Sequence, residues 1–470
     1  MMRRRFLEGS LAAAALAATG RGGSAATPAT DAGTIPFPKG FLWGASTSAY
    51  QIEGAATDDG RGPSIWDVFS HEPGRIADGS NGDVACDHYH RYREDVGLVA
   101  QAGFGAYRFS TSWPRILPQG TGAVNAPGLD FYDRLVDALL AKKIEPWLCL
   151  YHWDLPQALQ ARGGWLSRDI ADWFADYARV TARRLGDRVK HWAMFNEPNV
   201  HAIFGHGFGQ HAPGLKGRAN AVAAIHHQNL AQGKAIAALR AEHRDFALGT
   251  VLSLQPCLPV TDSAADRQAS IVWDALWNRA CLDPLMRGQY PDALAADYAP
   301  LVKPGDLEIT RKAIDFLGIN YYAPMHQRAD PNGLVGTNWG PAPPGAGQTG
   351  MGWPIEPEGL HTQLMELRRD YGNPAMYVTE NGAAFEDKPD PDGVVDDEAR
   401  LAFIRVHLEA ARRAIDDGAN LKGYFVWSLL DNFEWGFGYT ERFGIVRVDY
   451  PTQKRIPKAS YRWLAAQAKA

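Results

Sequence analysis

Eight times along the chain, a short apolar run of strand length is followed by a longer segment with helical periodicity. No break in composition separates one repeat from the next. The strand-like runs are Phe41–Ser46, Ala106–Ser110, Glu145–Trp153, His191–Pro198, Ala247–Leu254, Asp315–Tyr322, Ala375–Asn381 and Leu421–Asp431. Between them, Leu129, Tyr132, Val136 and Leu139 step by 3, 4 and 3 residues, which keeps one helix face apolar. Leu401, Ile404, Leu408, Ala411 and Ile415 step by 3, 4, 3 and 4 to the same effect. Eight uninterrupted strand–helix units favour one closed (β/α)8 barrel over a doubly wound sheet. A length of 470 residues would by itself suggest about three domains. The alternation reduces that to a single unit spanning residues 37–470.

The first residues read as an address rather than as part of the barrel. Arg3, Arg4 and Arg5 precede an Ala/Leu-rich run from Leu11 to Ala18, and Ser24-Ala25-Ala26 fits a small-residue cleavage site. Arg3-Arg4 followed by Arg5-Phe6-Leu7 resembles the twin-arginine export signal of bacteria, so an exported protein, periplasmic or secreted, is expected. The apolar run is far short of the roughly 20 residues that span a bilayer, and the mature chain is expected to be soluble, with no membrane partner. Cleavage after Ala26 removes four arginines and one glutamate, leaving 444 residues of net charge −8 where the full chain has −5. Residues 27–36 are expected to be a flexible lead-in.

That acidic balance argues against nucleic acid, which wants a basic surface. Apolar residues at 46% and charged residues at 21% supply a large core. The four cysteines, Cys86, Cys149, Cys257 and Cys281, show no C-x-x-C spacing, and the 14 histidines no H-E-x-x-H. No metal site is expected, and His88-Tyr89-His90 reads as the start of a helix. Cys149 sits in the apolar run Trp147-Leu148-Cys149-Leu150, where a buried thiol is expected. Of the 29 residues 331–359, 14 are Gly or Pro, with Trp339 and Trp353 among them. This long loop follows the sixth strand, on the face where barrels carry their active sites, and reads as a functional rim.

The chemistry lies at strand ends. Asn196-Glu197-Pro198 closes the fourth strand and Thr379-Glu380-Asn381-Gly382 the seventh. Either glutamate alone could be an ion-pair partner. Two of them, projecting into one barrel mouth, meet the requirement of glycoside hydrolysis: one carboxyl protonates the leaving oxygen while the other attacks or activates water. A gap of about 5–5.5 Å would imply retention of configuration and about 6.5–9.5 Å inversion.

The sequence resembles glycoside hydrolase family 1, the retaining β-glucosidase family, from Phe37 to about Trp463. The resemblance rests on Phe41-Leu42-Trp43-Gly44 through Gln51-Ile52-Glu53-Gly54, on Tyr107-Arg108-Phe109-Ser110, and on Tyr151-His152-Trp153-Asp154. Asn196-Glu197-Pro198, Asn320-Tyr321-Tyr322, Tyr377-Val378-Thr379-Glu380-Asn381-Gly382 and the run from Trp427 to Trp435 follow in the family's order and spacing. It implies that Glu380 is the nucleophile and Glu197 the acid/base, with Arg108 and Tyr322 beside Glu380. It further implies that Gln51, His152, Trp153, Asn196, Asn320, Trp427, Glu434, Trp435 and Phe443 line the sugar, with Asn196 at its 2-hydroxyl. Two carboxylates suffice for this chemistry, so no cofactor is expected.

Two branches of the family are disfavoured. Members acting on 6-phosphorylated sugars replace the residue at the Glu434 position, and a carboxylate there would repel phosphate. Thioglucosidases carry Gln where this chain has Glu197. The expected substrates are therefore small β-glucosides or cello-oligosaccharides. β-Galactosidase, β-fucosidase or β-mannosidase specificity on the same machinery is the alternative, and a non-catalytic sugar-binding barrel a remote one.

Overall fold

The computed structural model describes residues 33–242 and 245–470. The proposed leader, residues 1–26, lies outside the described residues. Eight parallel strands close into a barrel: β1 (Leu42–Ser46), β2 (Ala106–Ser110), β3 (Glu145–Cys149), β4 (His191–Asn196), β5 (Ala247–Ser253), β6 (Phe316–Asn320), β7 (Met376–Asn381) and β8 (Leu421–Trp427). β8 returns to pair with β1, Leu42 opposite Gly423 and Ser46 opposite Trp427. All eight expected strands are present. Two runs overshoot by four residues, β3 stopping at Cys149 rather than Trp153 and β8 at Trp427 rather than Asp431, while the others agree to within two residues at either end. The residues beyond each ladder remain buried, so their apolar character outlasts the strand that it suggested.

The helical patterns pack as their spacing requires. Helix Ala126–Ala141 opens with Pro127 in its first turn, where a missing N–H costs nothing, and buries Leu129, Tyr132, Val136 and Leu139. Each such side chain contributes about 1.5–3 kcal/mol by leaving water. His88 starts helix His88–Ala102. All four cysteines are free thiols, Cys149 among the buried ones.

The barrel floor is sealed by rings from non-adjacent strands, which can meet only inside it. Trp147 of β3 lies 5.1 Å from Phe316 of β6, 4.6 Å from Tyr377 of β7 and 5.1 Å from Phe425 of β8, between ring centroids. From this floor, two-residue alternation carries Ala106 to Arg108, Phe316 to Asn320 and Phe425 to Trp427 on the inner face. In β4 and β7 the alternation would turn Asn196 and Glu380 away from the lumen. Both strands shift register first, β4 between Ala193 and Asn196, β7 between Val378 and Glu380. Such irregularities re-aim a side chain next to an active site. Phe195 accordingly faces outward, its ring 4.6 Å from Phe174 on helix Ile170–Leu185.

The long loop is more ordered than its composition suggests. Thr337–Trp339 pairs antiparallel with Met325–Ala329, which itself pairs with Cys257–Pro259, so a three-stranded sheet stands at the rim. Further along, Met351 and Trp353 fold down on Tyr322 and Phe443. Residues 27–32 of the expected lead-in lie outside the described residues; further along it, Ile35 exchanges backbone hydrogen bonds with the side chain of Gln467 in the last helix. Among the described residues, no helix is long and apolar enough to cross a membrane.

Candidate active site

Arg108 is the electrostatic centre of the barrel mouth. Buried to 2% exposure, its guanidinium donates to Glu380 Oε1 at 2.6 Å and to Asn196 Oδ1 at 2.6 Å. Tyr322 donates its hydroxyl to the other oxygen of Glu380, Oε2, at 2.8 Å. Burial raises the Tyr322 hydroxyl well above its usual range, so it stays a donor. Burial also pushes Glu380 upward, while the charge and hydrogen bond of Arg108, then Tyr322 and Asn320, draw it back. Charge-assisted bonds of this kind are the strong ones, and they favour the ionised carboxylate.

Glu197 has the opposite environment. It follows β4 with a left-handed backbone (φ 46°) and caps the short helix Pro198–Ala202. No ion pair reaches it among the described residues; its Oε1 accepts from Asn320 Nδ2 at 3.0 Å. Burial, reinforced by the charge of Glu380, pushes it up to about 8, against the weaker pulls of Asn320 and Arg108. Glu380 is therefore the first of the pair to lose its proton, and Glu197 holds its own at neutral pH.

Asn320 and Asn196 tie the two carboxylates into one frame. Thr379 donates to Asn320 Oδ1 at 2.8 Å, which turns the amide nitrogen towards Asn196 Oδ1 (2.9 Å) and Glu197. With Asn196 Oδ1 accepting from both Arg108 and Asn320, its Nδ2 must point at His152 Nε2, 2.9 Å away. His152 Nε2 is thus an acceptor and its proton sits on Nδ1, which is buried without a protein partner. Burial, then the charge of Arg108, holds the ring well below its usual range and therefore neutral. One N–H of Asn196 is left without a protein partner.

The remaining predicted residues close round this frame. Gln51 donates to Asn432 Oδ1 (2.9 Å), to Phe433 O (3.0 Å) and, at 3.4 Å, to Glu434 Oε2, while Ser48 holds its carbonyl oxygen. Burial first, and then the charges of Glu380, Glu441 and Glu197, raise Glu434 well above the usual carboxylate range. Trp153 donates its indole N–H to Asn196 O (2.9 Å) and lies 4.6 Å from Trp435. Trp427 stacks on His152 at 5.8 Å, and Phe443 stands edge-on to Tyr322 at 6.1 Å. All thirteen residues expected at the site share this one mouth. Ser48, Thr379 and Asn432, which orient Gln51 and Asn320, are not among the expected site residues, although all three lie inside the motifs that carry the resemblance. Among the described residues there is no group of three or more His, Cys, Asp or Glu side chains placed to hold a metal ion.

A closed parallel barrel whose strand ends present a cation-held carboxylate, a second carboxyl that keeps its proton, and hydroxyl-reading side chains is a glycoside hydrolase scaffold. Residues 34–470 match the model of glycosyl hydrolase family 1, and the chain belongs to that family. It is 48% identical to a 1,4-beta-D-glucan glucohydrolase of Thermotoga neapolitana, covering 91% of this chain and 97% of that one. It is 47% identical to beta-glucosidase A of Thermotoga maritima, covering 91% and 96%. The solved structure of the family 1 β-glucosidase from Thermotoga maritima superposes with a TM-score of 0.89 at 46% identity, covering 92% of this chain and 98% of that one.

Proposed function

We propose that this chain is a retaining β-glucosidase that removes glucose from the non-reducing end of small β-glucosides and cello-oligosaccharides. One contrast carries the reading: Glu380 is gripped by Arg108 and Tyr322, while Glu197 has no ion-pair partner among the described residues and is pushed up to about 8 by burial. In the first step Glu380 attacks the anomeric carbon as Glu197 donates its proton to the glycosidic oxygen, and the alcohol leaves. Glu380 is then an uncharged glycosyl ester. Glu197, having given up its proton, is now the carboxylate; with the charge of Glu380 gone that ionised form is less opposed, and it takes a proton from the water that cleaves the ester. Asn196 meets the 2-hydroxyl, His152 a neighbouring one, and Gln51 with Glu434 the 3-, 4- and 6-hydroxyl side. A frame built to pair hydroxyls penalises ligands that lack them. An activated 2-deoxy-2-fluoro-β-glucoside should trap the ester, and mass spectrometry of the digested protein should place the sugar on Glu380. Label on any other residue would refute the assignment. Rates across aryl glucoside, galactoside, fucoside and mannoside test the preference for glucose.

The segment Met1–Ala26 supports export by the twin-arginine route, with the mature chain acting outside the cytoplasm. Replacing Arg3-Arg4 with two lysines should leave activity in the cell interior; unchanged export would contradict it.

A further inference from the structure

The turn that carries Glu434 and Trp435 buries the Trp435 ring against Trp66 and Trp153, each 4.6 Å away, while its backbone runs at the rim. Phe437 N donates to Glu434 O at 2.9 Å and Glu434 N to Gly438 O at 2.7 Å, closing a loop of five residues on itself. Trp435 inside it has a left-handed backbone (φ 46°), which a bulky side chain adopts only when its surroundings impose it.

The backbone of the turn is tied down by one remote stretch, Ala77–Asn81, in the connection between helices Ile65–His71 and His88–Ala102. Ala77 N donates to Gly436 O at 2.9 Å. Asp78 Oδ2 accepts from Tyr439 N at 2.8 Å, and Tyr439 donates its hydroxyl to Asn81 O at 2.8 Å. The other oxygen of Asp78 is occupied by Ser80, accepting from its N at 3.0 Å and its Oγ at 2.5 Å, so both carboxylate oxygens are engaged. Gly438 is built for this contact: its backbone (φ 65°, ψ −129°) suits glycine, and a Cβ there would lie 2.0 Å from Asp78 Oδ1. The side chain of Asp78 is itself exposed and takes no part in the barrel core.

We propose that Asp78 is a positioning residue for sugar recognition: by clamping the 434–439 turn it fixes the Glu434 carboxylate and the Trp435 ring at the hydroxyl-reading end of the pocket. This rests on the glucosidase reading above. Asp78 touches neither sugar nor reacting atoms. Its loss therefore affects substrates in proportion to the hydroxyls that Glu434 reads.

The test compares two dinitrophenyl β-glycosides, the glucoside and its 4,6-dideoxy analogue, with the full chain and with Asp78→Ala, Asp78→Asn and, as a loop control, Glu72→Ala. Asp78→Ala should lower kcat/KM for the glucoside by about tenfold or more, mostly through KM, and for the dideoxy analogue by less than about twofold. Asp78→Asn keeps one oxygen for Tyr439 N and should recover most of the loss; Glu72→Ala should match the parent chain. Equal losses on both substrates, or no loss in Asp78→Ala, would overturn the proposal. A parent chain that turned over neither glycoside would overturn the glucosidase reading itself, and this proposal with it, by a separate observation.

Discussion

Removing the charge of Arg108 is the sharpest perturbation of the pair. In Arg108→Met the side chain keeps its bulk, but Glu380 loses a donor at 2.6 Å and its only ion-pair partner among the described residues. Unit charges about 4 Å apart at an effective dielectric near 20 attract by about 4 kcal/mol, which is close to three powers of ten in the ionisation equilibrium. The sign follows from the roles. Glu380 must be ionised, so its protonation sets the acid limb of the kcat/KM profile, and that limb moves upward. Glu197 sets the basic limb, near 8 in the parent chain. As the acid limb climbs towards the basic one, the fraction of enzyme with Glu380 ionised and Glu197 protonated shrinks at every pH. The profile should narrow, with the acid limb displaced upward by as much as about three pH units, and its maximum should fall. Arg108→Lys keeps the charge but not the fork that also reaches Asn196, and should hold the acid limb in place at reduced rate. The assay is kcat/KM for an aryl β-glucoside between pH 4 and 9, with thermal unfolding alongside. An Arg108→Met profile with unmoved limbs would refute the electrostatic division of labour.

Asn320→Ala removes a donor to the ionised form of Glu197, so the basic limb should move upward and kcat/KM fall by about 10- to 100-fold; a downward shift would contradict this. Burial pushes Asp154 up to about 8, so the native state keeps a proton that the unfolded chain releases near 4. The contribution of Asp154 to stability should therefore fall by about 1.4 kcal/mol per unit as pH rises from about 4 to 8, and Asp154→Asn should remove that component of the slope in denaturant titrations. Burial would raise Asp431, but the charges of Lys458 and Arg442 hold it below the usual carboxylate range, with contacts of 2.8 and 2.6 Å. Asp431→Asn breaks that buried pairing and should cost about 3–5 kcal/mol, read as a drop in Tm of several degrees.

The barrel was legible because its strands are buried on both faces and its helices on one, and both patterns survive in sequence as periodicity. The strand ends were less so. Tyr151, Trp153, Leu429 and Leu430 are as buried as the strands before them, so apolarity ran past the last ladder bond. The register shifts that turn Asn196 and Glu380 inward left no trace in hydrophobic pattern, since strict alternation would have faced Phe195 and Thr379 inward instead. Those two positions were found through their motifs. Asp78 was invisible for another reason: an exposed aspartate in a glycine-rich connection looks like any solvated turn, and only the fold shows that Tyr439 N, 361 residues away, donates to it.

The stereochemistry of the first product tests the two-carboxylate mechanism most directly. Proton NMR of an aryl β-glucoside digest, followed from the earliest minutes, resolves the two anomers of glucose before they equilibrate. Attack by Glu380 and hydrolysis of its ester invert the anomeric carbon twice, so β-glucose should appear first and the α-anomer only later by mutarotation. If α-glucose appeared first, a single displacement by water would be at work, and the role assigned to Glu380 would be wrong.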